Sequence, residues 1–265
     1  LSAFNSDQLL ALTTSQVNAL TTSQVKELSI KSIAAFSSTQ VNALGTSEVV
    51  ILSKDQVGAL TTAQVAGLST TSLQAVSVNN VSALSNDQVK ALTTSQINAL
   101  TTSQVQALSS MQLRALGTTQ IVSLTTQQAA ALKVDQLNGL RTNQIAALET
   151  ADLISLTDSQ FTALNSTQIQ ALSTFQVSNL TTEQVASLTV AQIPFMETSD
   201  VRAMTTAQVG ALNGTQVNKL TTAQLQALST DQVAALDPAA VAKLSNSQLA
   251  SLKTSQVVAF TTTQA

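Results

Sequence analysis

The chain contains no His and no Cys, so any chemistry has to come from hydroxyls, amides and a thin scatter of charges. Ser and Thr are plentiful, but a hydroxyl becomes a nucleophile only beside a base that takes its proton. No such base stands in register with them. The acids are scattered, and the nearest pair of interest, Glu149 and Asp152, falls in positions already explained by a repeated pattern. Soft metal ligands are absent, as are an acidic calcium-type loop and a Gly-rich phosphate loop. We therefore expect no enzyme, no catalytic residue, no cofactor and no metal.

Three charged residues recur at a fixed interval. Lys133, Arg141 and Glu149 are eight apart in sequence, and on a stacked array they are expected to line one edge, with Arg141 able to pair with Glu149. That arrangement is either a small polar binding spot or, more simply, a solvated ion pair worth about 0–1 kcal/mol.

Behind these residues lies a strict octapeptide array. Every eighth residue from Phe4 to Phe260 is apolar, 33 positions without one insertion or deletion. The unit is Leu12-Thr13-Thr14-Ser15-Gln16-Val17-Asn18-Ala19. The sixth position is always apolar, the fifth is Gln in 26 of 33 octads, and the second is Ser, Thr, Asn or Asp in 26 of 33. The eighth is usually Ala, and the seventh varies freely, which reads as solvent-facing.

One template accounts for this spacing. Thr13 followed three residues later by Gln16 is a capping box, and Leu12 with Val17 has the spacing of a hydrophobic staple. Pro238 follows Asp237, so it occupies the first helical position, where proline is favoured. Each octad thus reads as a turn plus a helix of about one and a half turns. A continuous helix fails, because eight residues overshoot two turns by about 80°. A plain strand fails too, since the apolar positions are five and three apart and would fall on opposite faces. A β-solenoid with a turn in every octad is the alternative, although Gly and Pro together number only nine.

We therefore expect an all-α solenoid of very short helices, one array over residues 1–265, reading as a segment of something longer. The sixth-position Val and the next Leu should build the core. The small fourth and eighth positions should form a second face that lets neighbours approach. No single octad is stable alone, so stability must come from stacking. Two helices per layer would give a rod of about 130–160 Å and three about 90–110 Å; the spacing does not choose.

Within this frame Pro194 falls at the fifth helical position, where it should disrupt the helix. Phe195 stands where Ala is usual. The pair reads as a bend or an exposed aromatic docking point, or as drift tolerated by a redundant array.

Charges make up 9% of residues and the net charge is −3, which gives no basis for nucleic acid as a partner. No apolar run is long enough to span a bilayer. The unit Leu-Thr-Thr-x-Gln-(Val/Ile)-x-Ala, as in Leu60 to Gly67, resembles octapeptide tracts of very large exported, adhesin-like bacterial proteins. The resemblance runs over the whole chain. It implies a bacterial, extracellular or cell-surface setting and a spacer or surface-presentation role.

Three functions compete. The first is a rigid stalk, or a filament in which the chain stacks end to end on itself or on flanking repeats. The second is an ice- or glycan-binding surface, because the third position is Thr in 19 of 33 octads. The third is a protein-interaction scaffold that uses a concave face.

Overall fold

The computed structural model describes residues 4–265. Each octad folds as the capping pattern dictates. Thr13 is extended (φ −71°, ψ 157°), its hydroxyl accepts from the Gln16 amide, and the helix Thr14–Asn18 follows. The α-helices are four to six residues long, and among the described residues there is no strand, which rules out the β-solenoid. The turn between helices uses two extended residues, the first-position Leu and the cap, as at Leu60 (φ −57°, ψ 139°) and Thr61 (φ −72°, ψ 160°). Any L-residue adopts these angles. No described residue needs a positive φ, so corners can be turned every eight residues in a chain nearly free of Gly.

The chain divides into two compact units, the first running to Gly139 and the second Leu140–Ala265. Within each, helices pack on the third helix further along. In the first unit Ser38–Asn42 meets Thr62–Gly67, and Asn86–Ala91 meets Ser110–Ala115. In the second, Thr206–Gly210 meets Thr230–Ala235. A layer is therefore three helices, one per side, and 24 residues return the chain to the same side. The two-helix layer is excluded.

The sixth position points inward and the first closes the corner: Val57, Leu60, Val65 and Leu68 are buried, and the same holds through Leu244. Each such side chain contributes about 1.5–3 kcal/mol of burial, set against the ordering of its backbone.

The expected second face is corrected. Fourth-position Ser15, Ala63 and Ala207 point to solvent. The close approach is instead between the eighth position of one layer and the third of the layer before. A Cβ added to Gly67 would lie 2.8 Å from the Ser38 Cβ, and one added to Gly214 would lie 2.6 Å from the Lys243 Cγ. Small eighth-position residues allow this approach, and at Lys243 the long side chain is accommodated because its third-position neighbour is Gly214.

Candidate functional site

The fifth-position Gln does more than cap. Its Oε1 accepts from the main-chain N–H of its own cap residue, at 2.8 Å for Gln96 and Thr93. Its Nε2 then crosses to the previous layer and donates to two corner carbonyls, Leu68 at 2.7 Å and Val65 at 2.9 Å. The partners lie 28 and 31 residues back, and this bond recurs at Gln104, Gln128 and Gln136 in the first unit and at Gln176, Gln208, Gln224 and Gln248 in the second. Each amide thus ties the start of one helix to the corner beneath it. These Gln side chains are buried. They run in columns, one per corner, but the links are side chain to main chain rather than amide to amide.

Position seven adds a second tie. It is exposed, as its variability suggests, yet its amides reach one layer forward: Asn18 donates to the Ala43 carbonyl at 3.0 Å and Gln106 to that of Ala131 at 2.9 Å. Charged cap residues reach back to the same position. Glu197 accepts from Gln170 at 2.6 Å, and Lys253 donates to the Gln226 carbonyl at 2.8 Å.

Where the Gln is replaced, the corner changes. Asn80 keeps the tie with a shorter side chain, donating to the Leu52 carbonyl at 2.6 Å. Asp200 cannot donate while ionised. It is buried, and its Oδ2 has no hydrogen-bond partner. Burial pushes its carboxyl up to about 6; a hydrogen bond from the Glu197 main chain pulls against that, and the Glu197 charge adds to it.

The structure places the charged candidates differently from the sequence expectation. Arg141 and Glu149 each precede a helix, Thr142–Ala147 and Thr150–Ile154, and these lie on successive sides of a layer. Residues that share an edge are 24 apart, so eight-residue spacing cannot line them up. Lys133 belongs to the other unit, where its N–H donates to the Gln136 Oε1 at 2.8 Å, the same bond that Thr93 makes to Gln96.

Pro194 does break the α-helix. Its octad is a 3-10 turn, Ile193–Phe195, and Phe195 is exposed. The damage stays local, because Gln192 still accepts from Thr189 N–H at 2.8 Å and donates to the Leu164 carbonyl at 2.8 Å. Phe175 and Met111, both at the outward fourth position, are more exposed than Phe195, at 68% and 61% against 47%. Only knowledge that the fourth position faces solvent could have revealed them.

The third position also forms rows. In the first unit the helices beginning at Thr22, Thr46, Thr70, Thr94 and Thr118 pack one on the next, which sets five Thr residues on one side. In the second unit Thr182, Thr206, Thr230 and Thr254 repeat at the same 24-residue interval.

The architecture defined here is that of a helical repeat protein, with one short helix per octad and three per layer. The ALTTAQ repeat model matches residues 33–70, 58–94, 79–110, 105–142, 139–174, 159–190, 193–230 and 217–246. The chain belongs to this repeat family. No curated protein matches it. Among the described residues no helix is long and apolar enough to cross a membrane.

Proposed function

We propose that this array is a non-enzymatic structural spacer, a stalk that holds other parts of a bacterial cell-surface protein apart. The observation that carries this reading is the repeated amide tie. Within each unit buried Gln side chains bind one layer to the one before it by hydrogen bonds whose loss would orphan buried polar groups, so the corners that carry a Gln resist shear. The surface offers few charges, and its sequence variation is spread over the third, fourth and seventh positions. Electron microscopy at several protein concentrations tests the reading. Elongated particles of one width support a spacer; compact particles overturn it. Filaments that lengthen with concentration would replace the spacer with self-assembly.

A second reading is favoured by the Thr rows. Hydroxyl–methyl groups regularly repeated on one side are suited to ordering water or meeting a repetitive surface such as ice or a glycan. Thermal hysteresis that is lost when Thr46, Thr70 and Thr94 are changed to Lys would support it. Absence of hysteresis and of ice shaping removes the ice form, and a negative glycan array removes the other.

A further inference from the structure

In the second unit one Gln column lacks a single rung, at Ala240. Along this corner Gln192 ties to Leu164, Gln216 to Leu188 at 2.7 Å, and Gln264 to Leu236 at 2.6 Å. Between the last two stands Ala240, buried and without an amide. The two main-chain atoms that a Gln would bridge are the Asp237 N–H and the Leu212 carbonyl. Their equivalents in the neighbouring rungs are held within 2.9 Å of one side-chain amide, as Asn213 N–H and Thr261 N–H are. Here no side-chain amide reaches either. The Asp237 carboxylate is turned to its own helix and accepts from the Ala239 N–H at 2.7 Å.

The gap is open space. An open groove of about 620 Å³ lies at this corner, lined by Leu212, Asn213, Gly214, Asp237, Ala240 and Lys243 among others. That volume falls within the range of small-molecule sites, which are mostly apolar with a few fixed polar groups. Gly214 lets the Lys243 stem pack directly against it, a Cβ there lying 2.6 Å from the Lys243 Cγ, and that stem forms one wall. A second break in the Gln pattern behaves alike. At Ser32 a cavity of about 310 Å³ adjoins the replaced position, but there the Ser29 and Ser32 hydroxyls bond each other at 2.8 Å and occupy part of the polar space.

We propose that the corner between Leu212 and Asp237 binds a small apolar molecule carrying one primary carboxamide. Its oxygen accepts from the Asp237 N–H, its nitrogen donates to the Leu212 carbonyl, and its apolar body rests on Ala211, Gly214 and the Lys243 stem. A carboxylate offers no donor to Leu212, and a tertiary amide offers none either. The site discriminates by that donor, because a ligand without it leaves the carbonyl unpaired.

The test uses the whole chain labelled with ¹⁵N only at aspartate, so that Asp237 reports and the other aspartates serve as internal controls. Benzamide is the probe, with benzoate and N,N-dimethylbenzamide as comparisons. Benzamide should move the Asp237 resonance saturably, leave the remaining aspartates in place, and bind at least about tenfold more tightly than either comparison. Ala240→Gln should abolish the response while leaving the helical circular dichroism intact. Equal binding of all three compounds, no response up to the solubility limit, or an undiminished response in Ala240→Gln would overturn the proposal. A crystal of the native chain soaked in benzamide decides it independently of the variant: the carboxamide must lie between Asp237 N and Leu212 O, and any other position rejects the site.

Discussion

Two proline-bearing octads of the second unit fail in opposite ways. The Thr189–Met196 octad has Pro194 inside the helix and loses it to a 3-10 turn, but it keeps its Gln, and Gln192 still holds the corner below. The Asp237–Leu244 octad has Pro238 at the first helical position and keeps its helix, Pro238–Val241, but has Ala240 in place of Gln, and a groove opens at its corner. The first octad tolerates a broken helix because its two layers remain tied. The second has a sound helix and an open joint. Closure of the stack therefore depends on the buried amide more than on helical regularity.

The largest expected effect comes from removing both devices at once. Gln192→Ala would leave the Pro194 octad with neither helix nor tie, orphaning the Thr189 N–H and the Leu164 carbonyl. Each buried unpaired group costs about 1–3 kcal/mol, so the loss should be about 3 kcal/mol in urea unfolding. A loss under about 0.5 kcal/mol would mean that the amide tie is dispensable, since that is smaller than one ordinary hydrogen bond.

Asp200 comes next, as a tie that cannot donate. Its folded pKa, about 6, lies above the unfolded value, so the folded state holds the proton more tightly. Stability from this group is greatest below about pH 4, falls as pH rises towards 6, and is flat above that. The only charges of its own octad are Glu197 and Arg202; the packed helices Thr174–Ser178 and Thr222–Ala227 carry none. Asp200→Asn should be the more stable form at pH 7 by on the order of 2 kcal/mol, with the difference vanishing near pH 3.5. Unfolding curves at the two pH values check this, and a difference that persists at low pH would refute it.

Smaller changes sharpen the comparison. Pro194→Ala should restore an α-helical turn and add about 1–2 kcal/mol, less than the full penalty of an interior proline because the octad has already relaxed. Circular dichroism and thermal melting report it together. Ala240→Gln should add about 1 kcal/mol, the net worth of a hydrogen-bonded amide in a place already solvated. Amide exchange at Asp237 should slow in that variant; unchanged exchange would show that the new side chain does not reach.

The local fold was legible residue by residue. Thr13, Gln16 and Val17 identify a capped helix because capping boxes and apolar spacing are short-range physics acting within one octad. Pro194 and Pro238 were legible for the same reason: a missing N–H and a fixed φ act on their own turn. The row of Lys133, Arg141 and Glu149 was misread because alignment depends on the number of helices per layer, which no octad encodes by itself. The second role of Gln was hidden for a related reason. Its Oε1 partner is three residues away, but its Nε2 partners are 28 and 31 away. The fourth position likewise reads as packed from the helix alone and proves exposed once the third side of the layer is in place.

The sequence by itself determined the helices, their caps, their length and the inward column of Val, Ile and Leu, because each follows from bonds closed within eight residues. Only the tertiary structure decided the three-sided layer, the Gln ties between layers, and the open corner at Ala240. Those follow from where the chain returns after 24 residues, and that distance is set by how short helices pack against one another rather than by any single repeat.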